Sequence, residues 1–236
     1  MLVKTKAIVI SALRYQEKSL IVKCFTEAAG LKSYFVHNAF STARTSIKNA
    51  YFQPLTILEI EASHKNKGTL ETFKEIRLAV PYNTINTDIV KSTIVIFLSE
   101  VLHHSIREEE KNEDLFAFLE TALHWLDTHG DIANFHLILL LETTKFLGFY
   151  PETTSALPFF EMTEGIFIGG HGVSCLSDKD TILLRKLLGL RFGSDQKIFN
   201  GSERQSLLKI LLDYYSLHLD GFAKPKSLDV LREVFS

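Results

Sequence analysis

Between Ser19 and Phe40 the chain alternates apolar and polar residues with a period of two, interrupted at Gly30. A period of two sets successive side chains on opposite faces of an extended strand, and glycine between two such runs admits the positive φ of a tight turn. Ser19–Phe25 and Leu31–Phe40 are therefore expected to pair as a hairpin at the heart of a small β domain. The same reading gives strands at Lys4–Leu13, Phe52–Ala62 and Leu70–Ala79, the last two joined by the basic turn His64-Lys65-Asn66-Lys67-Gly68.

Five short strands at this spacing fit an OB-type barrel, and other small barrels share the pattern. OB barrels commonly bind single strands in a groove across their middle strands. Within Leu31–Phe40 the alternation puts Lys32 and Tyr34 on one face and Leu31, Ser33 and Phe35 on the other. Leu31 and Phe35 are expected in the core, with Leu20 and Phe25, and Lys32 with Tyr34 near solvent. There the ring could stack a base while the ammonium meets a phosphate; a tyrosine packed under a loop is the alternative.

After Pro81 and a polar stretch the period changes to 3.6. Ile89, Val90, Thr93, Ile94, Phe97, Leu98, Val101 and Leu102 recur at helical spacing up to the charged run at 107–111. A second helix is expected from near Asn112 and a third from about Asp131 to Leu147, stopped by Gly148, the three forming one bundle. Pro151–Cys175, with two prolines and four glycines, reads as a loop or hairpin inserted between helices. Helical spacing returns at Asp178–Leu188. Ser202 with Gln205 is expected to cap a helix running through Leu219, and a short last helix covers Ser227–Phe235. The fold class expected is α+β: an N-terminal five-stranded OB-type β-barrel over 1–80, then a mainly α-helical domain over 81–236 with a small irregular, zinc-free insertion at about 151–176.

Hydrophobic residues make up 46% and charged residues 23%, which marks a folded chain rather than a disordered one. The first residues lack the apolar segment and cleavage site of a signal peptide, and the most apolar helix is interrupted by His136, Glu142 and Lys145, so a cytoplasmic protein without a membrane part is expected. Two cysteines, Cys24 and Cys175, are too few for a disulfide framework or a thiolate zinc site. The net charge of −2 conceals an asymmetry. Residues 1–80 hold 12 Lys and Arg against six acids, and the remainder holds 14 against 22. Such a division suits a basic domain that meets a polyanion, although a basic domain can also be merely soluble.

No arrangement for catalysis stands out. Gly169-Gly170-His171-Gly172 matches neither nucleotide-binding spacing and reads as a turn. Glu108–Glu110 reads as a solvated helix end, and His103-His104 as partly exposed helix residues. Neither an enzyme nor a cofactor is expected, with a hydrolase as a distant alternative.

Tyr15, Glu17 and Ser19, followed by Phe25-Thr26-Glu27 and Gly30, form a Y-x-E-x-S … F-T-E-x-x-G pattern. Leu147-Gly148-Phe149-Tyr150-Pro151 closes a leucine-rich helix, and Asp213-Tyr214-Tyr215 precedes Lys224-Pro225-Lys226-Ser227-Leu228. In this order and spacing the three groups resemble the RecO family of bacterial recombination mediators across nearly the whole chain. The resemblance implies a non-enzymatic, nucleoid-associated protein that binds single- and double-stranded DNA and anneals complementary strands. It also implies action with RecR, docking of the acidic, phenylalanine-ended C-terminal tail of the single-strand DNA-binding protein, and, indirectly, loading of RecA. A generic OB-fold nucleic-acid adaptor, RNA included, is the alternative. The sequence departs from the family's pattern twice. The paired C-x-x-C motifs many members carry after L-G-x-x-P are missing, with only His171 and Cys175 as soft residues there. And His37, Asn38 and Phe40 stand where a lysine-glycine and a basic residue are usual.

The candidate DNA contacts are Lys6, Arg14, Lys18, Lys32, Tyr34, Arg44, Lys48, Lys65, Lys67 and Lys74, with Arg44, Lys48 and the Lys65–Lys67 turn foremost. For a partner's acidic tail, the cations available in the helical part are Lys145, Lys186, Arg191 and Lys209.

Overall fold

The alternation of the first eighty residues resolves into five strands: β1 (Leu2–Tyr15), β2 (Ser19–Thr26), β3 (Gly30–Val36), β4 (Ile57–Ser63) and β5 (Thr72–Leu78). In this computed structural model, which describes residues 1–40, 49–65, 69–106, 111–194 and 196–235, they form one antiparallel sheet in the order β3-β2-β1-β4-β5. The two edges then meet in a parallel bridge between Tyr34 and Glu71, where Phe35 N–H donates to Glu71 O at 2.9 Å and Glu71 N–H to Ser33 O at 2.8 Å. The sheet is thereby closed into an OB-type barrel, and closure satisfies edges that would otherwise remain open. Gly30 opens β3 with a φ of 64°, as its place in the hairpin requires. Phe52, expected at the start of a strand, instead ends a short 3-10 turn, Asn49–Phe52.

Val22, Cys24, Tyr34, Val36, Leu58 and Ile60 fill the barrel interior. A bulge in β1 between Val9 and Ser11 adds one residue, so that Val9 before it and Ala12 after it both face the core. On the outer surface, the row Ile8–Phe25–Leu31 is also buried. Helix α1 (Ile89–Ser105) packs on β1, and Phe116 of α2 (Glu113–Thr128) meets Phe25 with ring centroids 6.0 Å apart. The first compact unit, 1–128, thus holds the barrel and these two helices, while the second spans 129–236. The change of period near Pro81 marks the passage from sheet to helix inside the first unit.

That passage is pinned by Asp127. Its buried carboxylate accepts from the backbone N–H of Asn83 (2.9 Å), Thr84 (2.8 Å) and Ile85 (3.0 Å), and the buried Lys91 ammonium donates to Thr84 Oγ1 and Asp127 O.

In the second unit α3 (Phe135–Leu147) packs with α4 (Asp178–Leu188) and α5 (Gly201–His218), so the bundle expected of the first three helices is divided between the two units. Gly148 caps α3 at a φ of 84°. The capping box of α5 lies two residues before the expected one: Asn200 and Glu203 cap reciprocally, in place of Ser202 and Gln205. The expected insertion contains a hairpin of β6 (Phe159–Glu161) and β7 (Ile166–Ile168), and α6 (Leu228–Val234) ends the chain's regular structure. Arg185 of α4 holds the insertion by donating to Ser155 O and Leu157 O and lying 3.9 Å from the Phe167 ring centroid. Cys175 Sγ accepts from Gly172 N–H at 3.2 Å, and His171 packs edge-on against Phe159. Elemental analysis of the purified protein is expected to find no stoichiometric zinc, because the sequence lacks the paired thiolates such a site takes; one zinc per chain, with unfolding on chelation, would overturn this.

Candidate nucleic-acid interface

Among the described residues, two stretches of the barrel's outer surface are not buried, and they differ in electrostatics. Across β1, β4 and β5, register sets Lys4 beside Glu61 and Glu75, and Lys6 beside Glu59 and Arg77. Lys4 pairs with Glu61 at 2.9 Å, Arg77 pairs with Glu59, and Lys6 reaches Glu120 of α2 at 2.8 Å. The hydrogen bond that Lys6 donates to Glu120 is the main cause that raises the Lys6 pKa above its ordinary value. Cations and carboxylates alternate here, so the face neutralises itself and offers a phosphate backbone little net attraction.

Across β1, β2 and β3 the surface is different. Successive outward rows are Ser11–Lys23–Ser33 and Leu13–Ile21–Phe35. Beyond them Tyr15 meets Phe35 edge-on at 5.8 Å, and Phe35 meets His37 at 4.4 Å. Leu13 and Tyr15 are 63% and 44% exposed, a large apolar and aromatic surface for an unoccupied sheet face. Beside it the Arg14 guanidinium lies 5.0 Å from the ring centroid of Phe40, itself 42% exposed, and donates to Glu17 O. Lys18 is exposed in the β1–β2 turn, which Ala39 N–H ties down through Lys18 O at 2.9 Å. Aromatic rings interleaved with cations on an uncovered OB face are what a single strand needs: rings for its bases and charges for its phosphates.

The expected contacts distribute unevenly over these surfaces. Arg14 and Lys18 border the aromatic face, while Lys6 is engaged by Glu120. Lys74 is exposed in β5, at the residue skipped where the register shifts opposite Glu61 and Ala62. Lys65 is exposed just after β4, its backbone N–H bonded to Glu71 Oε2 at 2.8 Å. Lys32 is half-buried near His64. Burial holds the His64 pKa down, opposed by Glu71 and helped by Lys32. Arg44, Lys48 and Lys67, and the acidic run Glu108–Glu110, lie outside the described residues.

Tyr34 requires a correction. It is 0% exposed, stacks on Phe73 with centroids 4.1 Å apart, and its hydroxyl meets His64 Nε2 at 2.8 Å. A ring with no exposed surface cannot stack a base. Burial raises the Tyr34 pKa, so it serves as a neutral hydrogen-bonding core residue. Phe35, expected inside, is the ring on the outer face. Tyr15, Phe35, His37 and Phe40 are therefore added to the candidate contacts, although Phe35, His37 and Phe40 lie within the Leu31–Phe40 run that the alternation picks out.

The sequence profile described as "Recombination protein O N terminal" matches residues 1–82, and that described as "Recombination protein O C terminal" matches 86–158. Proteins named "DNA repair protein RecO" from Flavobacterium johnsoniae and Flavobacterium psychrophilum are 68% and 66% identical to this chain, and one from Phocaeicola vulgatus is 36% identical, each alignment covering the whole of both chains. The chain belongs to the RecO family.

Two of the RecO-like sequence groups meet in the second unit. The Tyr214 hydroxyl donates to Phe149 O at 3.0 Å, Tyr215 donates to Leu140 O at 2.8 Å, and Phe149 stacks on His218 with centroids 5.1 Å apart. These tyrosines thus fasten the end of α3 to α5. Among the cations considered for a RecO partner, Lys145 and Arg191 converge on Glu142, at 2.5 Å and 3.8 Å, and Lys145 also lies 4.5 Å from the Tyr150 ring centroid. Lys186 on α4 and Lys209 on α5 are exposed. Among the described residues no helix is long and apolar enough to cross a membrane, and no three His, Cys, Asp or Glu side chains are grouped to hold a metal ion.

Proposed function

We propose that this RecO-family chain is a non-enzymatic mediator of DNA repair and recombination. Its barrel binds single- and double-stranded DNA and anneals complementary strands, and its second unit docks protein partners. The supporting observation is the uncovered aromatic face of β1, β2 and β3, bordered by Arg14 and Lys18. Annealing needs no nucleophile or general base. A cationic surface lowers the repulsion between two phosphate backbones as they approach, and rings that hold bases unstacked keep them available for pairing. In the cell the protein acts with RecR and helps RecA onto strands coated by the single-strand DNA-binding protein, whose acidic tail meets cations among Lys145, Lys186, Arg191 and Lys209. Its place is the cytoplasm, at the nucleoid.

Strand annealing on protein-coated complementary oligonucleotides tests this reading. Replacing Arg44, Lys48, Lys65 and Lys67 together by Glu should weaken binding to every sequence alike and abolish annealing. Every phosphate that the variant no longer neutralises should lower the log-log salt slope by roughly 0.7 for single strands and roughly 0.9 for duplex. Tail docking should survive. Normal annealing by the folded quadruple variant would reduce these four residues to solubilising charges, and failure to dock the tail with DNA binding intact would reverse the division of labour.

A further inference from the structure

On the barrel's outer face, between the row covered by the helices (Ile8–Phe25–Leu31) and the exposed aromatic row (Leu13–Ile21–Phe35), lies a third row: Ser11, Lys23 and Ser33. Lys23 is half-buried. From α1, His103 comes close enough for the charge of Lys23 to act on its imidazole. Burial chiefly, then Lys23 and His104, holds that imidazole below its ordinary pKa, which favours the neutral ring. His103 Nδ1 is buried and has no hydrogen-bond partner among the described residues. In the tautomer that carries the proton on Nε2, that nitrogen is a donor. His104 packs edge-on against His103 at 5.1 Å, and Glu100 stands one turn earlier on α1.

The geometry points to a phosphate-binding subsite formed by the Lys23 ammonium, the His103 Nε2–H and the hydroxyls of Ser11 and Ser33, which takes a phosphodiester of the same single strand whose bases stack on Phe35 and Tyr15. This rests on the nucleic-acid reading above and adds to it. Residues two apart on a strand are roughly 7 Å apart. Ser33 is therefore one such step from Phe35, the scale on which a nucleotide's base and its phosphate are separated. One point charge beside neutral donors suits a phosphodiester, which carries a single negative charge and two free acceptor oxygens.

The two principal groups act differently, and this separates the site from a structural contact. The charge on Lys23 displaces a counterion; the neutral donor on His103 does not. With a labelled oligothymidylate titrated at pH 7.5 over a range of salt, Lys23→Gln should lose affinity several-fold and lower the log-log salt slope by roughly 0.7. His103→Phe should lose about tenfold, the worth of one hydrogen bond to a charged group, with the slope unchanged. His103→Gln, which restores an N–H donor, should recover most of that loss. Inorganic phosphate alone should not compete at millimolar concentration, because it lacks the bases.

An unchanged slope and affinity for Lys23→Gln would overturn the subsite, and this half-buried surface position decides the matter should His103→Phe not fold. Equal loss in His103→Phe and His103→Gln would reduce His103 to packing. Competition by millimolar phosphate would reassign the site to a free anion and overturn the strand assignment. If the parent protein bound no oligonucleotide at any salt, the functional reading itself would fall and the subsite with it, a result visible before any variant is made.

Discussion

Asp127→Ala should unfold at a markedly lower urea concentration than the parent protein. The substitution leaves the N–H groups of Asn83, Thr84 and Ile85 without their shared acceptor, at a point where Ile85 is buried and the Lys91 ammonium is buried beside them. Each orphaned donor costs on the order of 1 kcal/mol or more, so the loss should be about 3 kcal/mol. In a chain of this size that corresponds to a fall in Tm of roughly 10 °C. The effect is also pH-dependent. Burial alone would raise the Asp127 carboxyl pKa, but the hydrogen bonds from Asn83, Thr84 and Ile85 together outweigh it and hold the group below its ordinary value. A depressed carboxyl contributes stability that is fully present above the unfolded pKa, near 4. That stability is lost as pH falls through the folded value, so parent and variant should converge in acid. Equal urea midpoints at neutral pH would show that Asp127 does not fasten the segment after the barrel.

The double variant Tyr15→Ala, Phe35→Ala should bind single-stranded DNA at least about thirtyfold more weakly, since each stacked base is worth roughly 1 to 3 kcal/mol. Duplex binding should fall far less, because paired bases are already stacked on each other and present chiefly phosphates. Stability should change little at Tyr15, a residue 44% exposed. The self-neutralised face supplies the control: Lys4→Gln with Arg77→Gln removes two cations from partners on β4 and should leave single-strand affinity within about twofold, as for charges that carry no phosphate contact. If anisotropy titrations gave the aromatic double variant the parent's affinity, the face across β1, β2 and β3 would be no stacking platform. If the control variant bound more weakly instead, the strand would run over the opposite side of the barrel.

These expectations depend on assignments of different origin. The five strands, the turn at Gly30, the end of α3 at Gly148 and the change of period after Pro81 are all legible in sequence, because each follows from residues within a few positions of one another. The cap of α5 is legible only to within two residues, since Asn200-Glu203 and Ser202-Gln205 both satisfy the local capping pattern. The grouping of helices is not local at all: α3 finds its partners in α4 and α5, with no signal in its own apolar spacing.

The alternation in β3 determined by itself that Tyr34 and Phe35 lie on opposite faces, and nothing in it said which face is inside. Barrel closure decided that, through the bridge from Tyr34 to Glu71 and the hydrogen bond to His64, 30 residues away in sequence. A tyrosine can be buried when its hydroxyl finds a partner, and only the closed barrel supplies one. Charge was divided in the same way. The excess of cations in residues 1–80 is a property of the sequence, whereas Glu120, 114 residues from Lys6, takes that lysine out of it, and register sets Lys4 and Arg77 against glutamates. Local order fixes the period and the sum of the charges. Long-range packing fixes the sign of the period and which charges remain for a ligand, because burial and pairing depend on distances in space that separation along the chain does not encode.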